Sequence, residues 1–243
     1  MDHPATSPIR FRPLEQARAH EYVAEQIRRQ IALHLIVVGD ALPPERELAR
    51  MFGVARKTVQ EAVRLLVADG LIESRRGRGG GNFVLGSTDG ADLTDHLLNR
   101  IRPQRDLVEQ ALTYRLELEP GAAALCASLR RGNDLARIMA AADRADRAGT
   151  DTQFIEHDTE FHLAIARATG NRFFADGVEH VRVLLNDVLA ALPESQLWRE
   201  RTRVEHAAIL TAIAGGDSEN ARRAMRTHVA HTNQSARALL VAL

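Results

Sequence analysis

Apolar residues recur at helical spacing in three segments near the start of the chain. The first segment, residues 14–38, ends at Gly39. Its apolar stripe consists of Tyr22, Val23, Ile27, Ile31 and Leu35. A shorter segment follows two prolines, and its apolar positions are Leu48, Ala49 and Phe52. Because Gly53 turns the chain shortly before a third segment begins, the pattern predicts a helix-turn-helix.

The third segment has one apolar face and one polar face. Its apolar stripe, which is predicted to be buried, consists of Val59, Val63, Leu66 and Val67. The outer face then carries Arg56, Lys57, Gln60 and Arg64. In a helix-turn-helix, the N-terminal residues of the second helix contact base edges in the major groove of DNA. The polar face is therefore predicted to read DNA.

Two short β-type runs, residues 71–74 and 82–84, follow this helix and can pair as a hairpin. The predicted tip between them carries the arginines Arg75, Arg76 and Arg78. Arginines attract phosphate, and the glycines of the tip allow close approach of the backbone, so the hairpin is predicted to be a DNA-gripping wing. A nucleotide-phosphate loop is the alternative. It is disfavoured because the sequence has neither GxxxxGKS/T between a strand and a helix nor a GxGxxG that opens a helix.

From residue 91 onward no segment has the alternation of a strand, which predicts an all-α second half. Glycine and proline breaks divide it into helices near residues 91–102, 104–130, 134–148, 151–169, 172–192, 195–214 and 218–240. Helices with such short connections form an antiparallel bundle. The expected fold is mainly α: an N-terminal winged helix-turn-helix of three helices plus a β-hairpin wing, and a C-terminal all-α antiparallel helical bundle.

A polar, glycine-containing stretch at residues 86–90 marks the expected domain boundary. The first predicted domain is residues 1–86, in which 1–13 form a mobile arm. Residues 87–103 are a linker and first helix, and residues 104–243 form the second domain. With 243 residues and 45% hydrophobic side chains, the chain is large enough for two cores. Its net charge is +0, so the expectation of DNA binding rests on the local cluster of wing arginines.

The chain has one cysteine, Cys126, and no apolar run long enough for a membrane span or a signal peptide. An intramolecular disulfide is therefore excluded, and a cytoplasmic protein with no membrane partner is expected. Cys126 lies in an Ala- and Leu-rich helix, where it is predicted to be buried.

Four residues of the second half have the side chains and spacing of a metal site. Asp158 and His162 stand four residues apart, so both project from one face of a helix. His206 and His228 lie on the last two predicted helices, which a double-glycine turn folds against each other. One carboxylate and three imidazoles suit Zn²⁺, Ni²⁺ or another borderline divalent ion. Spacing alone leaves two interpretations open, a metal site and a set of hydrogen-bonded core histidines.

The N-terminal motifs resemble the winged helix-turn-helix of the GntR family of bacterial transcription regulators. The similarity covers residues 22–84 and rests on LPPERELA, ARKTVQEAVRLL and RRGRGG. The resemblance implies that operator DNA is contacted by Arg46, Arg56, Thr58, Arg76 and Gly77. The family usually has arginine where this chain has Gln60, so a different base is expected at that step.

The second half resembles the FCD effector domain of the FadR subfamily of GntR regulators, over about residues 105–243. The motifs DTEFH, ATGN and EHAAI carry this similarity. The resemblance implies that the aspartate and three histidines named above bind one divalent metal ion per chain. It also implies that Arg115 and Asn171 line an effector cavity. From the residues alone, Arg115 can instead pair with Glu119 on a helix surface, and Asn171 can cap a helix.

Together these observations favour a homodimeric transcription regulator on palindromic operator DNA, and not an enzyme. We expect a repressor that is released when a small organic acid binds at a zinc or nickel ion in the second domain. One alternative is a DNA-binding regulator whose metal is structural. A second is a metal-dependent hydrolase, which would need a positioned base beside an open coordination site. The sequence has no HExxH and no clearly placed second carboxylate for that role.

Overall fold

Three helices and two strands form the N-terminal part of the protein. The computed structural model describes residues 19–33, 35–77, 79–85, 97–192 and 196–243. Its N-terminal elements are α1 (Ala19–Ala32), α2 (Glu45–Phe52), α3 (Arg56–Ala68), β1 (Ile72–Arg75) and β2 (Gly81–Val84). Gly53 caps the C-terminus of α2, and its φ of 65° lies in the left-handed region that glycine adopts without steric cost. The chain then turns into α3, which packs against α2, so the predicted helix-turn-helix is confirmed.

The two strands form the predicted hairpin. They pair antiparallel, with Ile72 opposite Val84 and Arg75 opposite Gly81. Each strand reaches one residue further toward the tip than the sequence predicted. The prediction that Arg75 belongs to the tip is therefore wrong, because this residue is the last of β1.

A buried apolar cluster joins the three helices to both strands. It consists of Val23, Ala24, Ile27, Leu42, Leu48, Val59, Ala62, Val63, Leu66, Ile72 and Val84. Two residues expected in this core are instead exposed, Tyr22 by 58% and Val67 by 41%. Each follows or precedes a buried residue, and a step of one residue rotates a side chain about 100° around a helix. Both therefore lie beyond the edge of the buried stripe.

The first helix is shorter than predicted. It ends at Ala32 and not near residue 38. The backbone N–H of Leu35 donates to the carbonyl of Gln30, which is a wider turn than the α-helical pattern. The predicted stripe residue Leu35 consequently lies outside the helix.

Long helices form the C-terminal part of the described chain. They are α4 (Arg105–Leu129), α5 (Asp134–Asp146), α6 (Asp151–Ala168), α7 (Arg172–Ala190), α8 (Gln196–Gly215) and α9 (Ser218–Ala242). Helical residues 97–101 and a 3-10 turn at Arg102–Gln104 precede them. α4 is central, since it packs against α6, α7, α8 and α9. The predicted helical bundle is confirmed.

Polar side chains begin three of these helices. Thr150, Asn171 and Asp217 each accept a hydrogen bond from a backbone N–H two or three residues further on. Such caps satisfy an N–H that has no partner within the helix, and each stabilises the fold by about 1 kcal/mol. The predicted capping role of Asn171 is therefore confirmed.

The core of the bundle is rich in alanine and contains Cys126. This side chain is fully buried, as predicted, and burial raises the pKa of its thiol to about 11. No described helix is long and apolar enough to cross a membrane. The predicted arm at 1–13, the predicted boundary at 86–90 and Arg78 lie outside the described residues.

Candidate functional site

The outer face of α3 is open to solvent. Arg56 has 66% of its side chain exposed, Lys57 is exposed, and Thr58 and Gln60 are half-buried. Arg46, on α2, is also exposed. The opposite face of α3 packs into the apolar core. The predicted DNA-reading residues are therefore available to a partner, apart from the contacts that two of them make with α2.

Those contacts converge on one carboxylate that the sequence did not point to. Glu45 Oε2 accepts a 2.9 Å hydrogen bond from Arg56 Nε and a 3.0 Å hydrogen bond from Gln60 Nε2. Glu45 is the first residue of α2, 11 and 15 residues before its partners. Because the pairing depends on how α2 and α3 pack, no spacing rule within one helix could have found it.

The wing presents fewer available arginines than predicted. The Arg75 guanidinium lies over the Phe83 ring, 4.5 Å from its centroid, and Nε donates a 2.7 Å hydrogen bond to Glu73. Arg76 is exposed at the start of the tip, and Gly77 adopts a φ of 99°. A side chain at Gly77 would be strained there. Arg76 is thus the described wing arginine best placed to contact a phosphate.

The four predicted metal ligands meet in the centre of the bundle. Asp158 and His162 project from α6, His206 from α8 and His228 from α9, and none is more than 5% exposed. One ligand atom from each lies within 4.8 Å of all the others. His206 Nε2 is 3.3 Å from Asp158 Oδ1, and His228 Nε2 is 3.2 Å from His162 Nε2.

In two of the imidazoles, the Nδ1 atom, which faces away from the other cluster residues, pairs with a carboxylate. Glu119 on α4 pairs with His162 Nδ1, and Glu205 on α8 is 2.9 Å from His228 Nδ1. A partner at Nδ1 fixes the tautomer and leaves Nε2 as the ligand atom. His206 Nε2 is buried beside Asp158 Oδ1, at 3.3 Å, and contacts no further acceptor among the described residues. The three converging imidazole nitrogens and the carboxylate oxygen fit a divalent metal ion.

His231 supports the cluster from outside. Its Nδ1 lies 2.5 Å from the other oxygen of Glu205, and 43% of its side chain is exposed. The sequence pointed to four residues of the cluster but not to Glu119 and Glu205 as their partners. Glu119 had a visible signal, because it stands four residues after Arg115.

Arg115 is fully buried, so the interpretation of a helix-surface arginine is wrong, although the predicted partner is right. Its Nε donates a 2.5 Å hydrogen bond to Glu119 Oε1. Among the described residues, no acceptor contacts Arg115 Nη1 or Nη2. The guanidinium thus carries buried donors with unused capacity, next to a carboxylate that contacts His162.

A second buried arginine, Arg182 on α7, was not predicted. Its Nη2 donates to Asp158 Oδ2 at 2.5 Å and to Thr159 Oγ1 at 2.8 Å. Nε and Nη1 are buried and lack a hydrogen-bond partner in the described parts of the chain. The signal was present in the sequence, because Arg182 falls on the same helical stripe as the buried Val178 and Leu185.

Burial and charge set the protonation of the cluster. Burial would raise the pKa of Asp158, but Arg182 and then His162 hold it well below its ordinary value. Burial lowers the pKa of His228 to about 3 and also lowers the pKa of His206, so both imidazoles are neutral near pH 7. Burial would also lower the pKa of His162, but Glu119 and Asp158 raise it overall. In the absence of a metal, these two carboxylates therefore favour the protonated form of His162.

Asn171, the other predicted effector residue, lies at the surface. Its Oδ1 accepts a 3.0 Å hydrogen bond from the Phe173 N–H. The described hydrogen bonds of Asn171 involve only the junction between α6 and α7, including Thr169. They do not join it to the buried cluster.

The two halves of the chain also contact each other. α1 packs against α7, and Arg29 Nε lies 2.7 Å from Glu179 Oε1. An open groove of about 650 Å³ borders this ion pair. Since α7 also carries Arg182, a single helix contacts both the buried cluster and the N-terminal domain.

Two family models match the chain in succession. "Bacterial regulatory proteins, gntR family" matches residues 19–81, and "FCD domain" matches residues 110–231. The first match spans α1 to the start of β2, and the second contains all four cluster residues. The chain belongs to the GntR family and carries an FCD domain. This GntR regulator is a DNA-binding transcription regulator and not an enzyme.

Its relatives include named regulators. It is 32% identical over 197 residues to "HTH-type transcriptional regulator LutR" of Bacillus subtilis, covering 79% of this chain and 89% of that protein. It is 29% identical over 231 residues to "HTH-type transcriptional repressor NanR" of Cronobacter sakazakii, covering 90% and 85%. The structure of E. coli McbR/YncC aligns with a TM-score of 0.50 and 21% identity, over 93% of this chain and 98% of that one. That likeness shows a shared fold.

Proposed function

We propose that this GntR regulator is a homodimeric repressor that leaves a palindromic operator when a small organic anion binds in its FCD domain. The anion binds at a divalent metal, with zinc or nickel as the expected ion, and contacts Arg115 and Arg182. The naming of the NanR relative as a repressor supports the direction of the response. The observation that carries the proposal is the pair of buried guanidiniums with unused donors beside a metal-type donor set.

The metal would be held by Asp158 Oδ1 and by the Nε2 atoms of His162, His206 and His228. Three imidazoles and one carboxylate suit borderline divalent ions. When bound, the ion would supply a positively charged centre with coordination positions for a carboxylate oxygen. Glu119 and Glu205 orient two of the imidazoles, and Arg182 orients the carboxylate.

The charge balance of the cluster favours an anionic effector. Arg115 and Arg182 are balanced by Asp158 and Glu119 when the histidines are neutral. A divalent cation would add two uncompensated positive charges, of which Glu205 at the edge offsets one. A buried excess charge is costly unless it is paired. A carboxylate would supply that pairing and would also use the open arginine donors bidentately.

The unused donors distinguish this proposal from a purely structural metal. Each buried donor without an acceptor costs on the order of 1–3 kcal/mol. Four such nitrogens, two on each arginine, are buried in the described bundle. A structural ion would leave all four unused, whereas an anion between the two guanidiniums would engage them.

The response reaches DNA through α7 in this proposal. Arg182 contacts the cluster from one side of the helix, and Glu179, less than one turn away, pairs with Arg29 on α1. α1 packs directly against α3. A change in the position of α7 on anion binding would therefore alter the placement of the reading helix, and a tenfold change in operator affinity needs only about 1.4 kcal/mol of differential binding.

The test is a titration of the operator complex with a panel of hydroxy, keto and dicarboxylic acids, using metal-loaded protein and protein treated with chelator. We expect at least one acid to lower operator affinity, and only with metal present. If an acid acts equally on chelated protein, the metal is not part of the effector site. If no acid acts while the metal raises the melting temperature, the metal is structural.

A further inference from the structure

Glu45 joins the two residues of α3 that are expected to read bases. One of its oxygens accepts hydrogen bonds from Arg56 Nε and Gln60 Nε2, at 2.9 and 3.0 Å. Its side chain is 25% exposed and lies at the N-terminus of α2, where a carboxylate is favoured by the helix dipole. A negative charge close to the reading helix would repel DNA phosphates, so this position needs a reason beyond affinity.

We infer that Glu45 is a specificity-determining residue, which holds Arg56 and Gln60 in the orientations in which they read the operator. Glu45 acts as a positioning residue, through its two partners. The inference rests on the proposed role of Arg56 and Gln60 as base readers. It does not depend on the metal or the effector.

For Arg56, the contact decides which end of the guanidinium faces outward. Its described hydrogen bond occupies Nε. The two terminal nitrogens, Nη1 and Nη2, remain as a fork at the exposed end of the side chain. That fork matches the O6 and N7 acceptors of guanine in the major groove. A guanidinium held at Nε also loses less conformational entropy when it binds.

For Gln60, the contact decides which amide atom is presented to DNA. A carboxylate only accepts hydrogen bonds, so the NH₂ group of Gln60 must face Glu45. The amide orientation thus follows from chemistry, although the two ends of a glutamine are otherwise hard to distinguish. Oε1 is left as an acceptor, and one hydrogen of Nε2 remains available.

This arrangement selects among the bases. An acceptor reads the N6 donor of adenine or the N4 donor of cytosine, and it disfavours guanine and thymine, which offer acceptors. The remaining Nε2 hydrogen can reach adenine N7, which makes adenine the preferred base. Glu45 therefore links an expected guanine at the Arg56 step to an expected adenine at the Gln60 step.

The experiment selects duplexes from a randomised library with six proteins: the parent, Glu45→Gln, Glu45→Ala, Gln60→Ala, Arg56→Ala and Glu47→Gln. Glu45→Gln keeps nearly the same shape, but it replaces an acceptor oxygen with an NH₂ group. That NH₂ group can face the NH₂ group of Gln60, in which case the Gln60 amide is free to rotate by 180°. Glu47→Gln is the matched control, because Glu47 lies on the same helix and is exposed, 4.0 Å from Arg50. The affinity of each variant is then measured for the parent's selected duplex and for a scrambled duplex of equal length, at the same salt concentration. The ratio of the two affinities is the specificity ratio.

We expect Glu45→Gln to relax the base preference at the Gln60 step and to lower the specificity ratio by about fivefold or more. Fivefold is about the smallest discrimination that one good bidentate contact to a base provides. Affinity for the scrambled duplex should stay equal or rise, because a negative charge is lost. Glu47→Gln should return the parent motif. Thermal melting checks that each variant folds, and Glu45→Ala serves as a second test of the same contact.

Three outcomes would overturn the inference. If Glu45→Gln returns the parent motif and ratio while Gln60→Ala changes them, Glu45 does not set specificity. If Glu45→Gln and Glu45→Ala weaken both duplexes equally, the role of Glu45 is structural. A third result, an unchanged motif for both Gln60→Ala and Arg56→Ala, would show that the readers themselves are misassigned, and the inference would fail with them.

Discussion

Arg182 on α7 donates a 2.5 Å hydrogen bond to Asp158 on α6, and both side chains are buried. The carboxylate proposed as a metal ligand is therefore oriented by a guanidinium from a different helix. On the same helix, Glu179 pairs with Arg29 of the DNA-binding domain. Arg182, which contacts the buried cluster, and Glu179, which contacts the DNA-binding domain, are therefore less than one turn of α7 apart.

The first prediction concerns the metal. His228→Ala should reduce the metal content from about one divalent ion per chain and abolish stabilisation by added metal. An ion at a hundredfold excess over its Kd stabilises the native state by about 2.7 kcal/mol, which corresponds to roughly 5–10 °C in Tm for a chain of this size. Elemental analysis and thermal melting measure both effects.

The control for this prediction is His20→Ala. His20 lies on α1, 3.5 Å from Glu61 in the DNA-binding domain, and belongs to neither described group of potential metal ligands, so its removal should leave metal content unchanged. Metal affinity should also rise with pH, because His162, whose pKa is raised, must lose its proton to coordinate. Parent protein purified without chelator that contains far less than one ion per chain would contradict the assignment.

The second prediction concerns the two buried arginines. Arg115→Ala should abolish the effect of the active organic acid on operator affinity while effector-free DNA binding stays intact. Arg182→Lys should weaken the response less than Arg115→Ala does, because lysine keeps the positive charge. Some loss is still expected, because lysine lacks the two-pronged guanidinium. Fluorescence anisotropy of a labelled operator duplex measures the response. An Arg115→Ala protein that responds like the parent would remove Arg115 from the effector site.

The third prediction concerns the tie between the domains. Glu179→Gln should leave acid binding unchanged and reduce the shift that the acid causes in operator affinity, because the charge that pairs with Arg29 is lost. Arg28→Ala is the matched control, since Arg28 pairs with Asp69 inside the DNA-binding domain. Calorimetry of acid binding, measured beside operator titrations, separates binding from coupling. Equal coupling in Glu179→Gln and in the parent would exclude this path.

The fourth prediction concerns direct base reading. Arg56→Ala should cost on the order of 1–3 kcal/mol of operator binding if the side chain forks onto a guanine, with a much smaller loss on a scrambled duplex. Competition between the two duplexes at fixed salt measures this difference. Unchanged operator affinity would mean that α3 is not the reading helix.

The fifth prediction concerns the wing. Arg76→Ala should lower affinity for all sequences and reduce the dependence of log K on log salt by about one unit, as expected for one lost phosphate contact. Arg75→Ala should change the salt slope less, because Arg75 is engaged by Phe83 and Glu73. Binding measured at several salt concentrations distinguishes the two arginines. Identical slopes in the parent and Arg76→Ala would remove Arg76 from the phosphate contacts.

Much of the fold could be read from local patterns. The helices of the bundle were predicted from glycine and proline breaks because a helix is specified by residues close in sequence. Asp158 and His162 were paired because positions four apart share a face of one helix. Tyr22 and Val67 were misjudged, because a stripe predicts the buried face but not where its edge falls.

The partners of the site were decided by tertiary packing. Glu119 and Glu205 reach the histidines from α4 and α8, and Arg182 reaches Asp158 from α7. No spacing within one helix reports which helices become neighbours. Glu45 likewise meets Arg56 only because α2 packs against α3. The sequence by itself determined the helices, the wing and the residue types of a metal site, since these depend on local periodicity and chemistry. The orientation of those residues, their protonation and the unused arginine donors depend on burial and on charges brought together from distant helices, which only the folded chain defines.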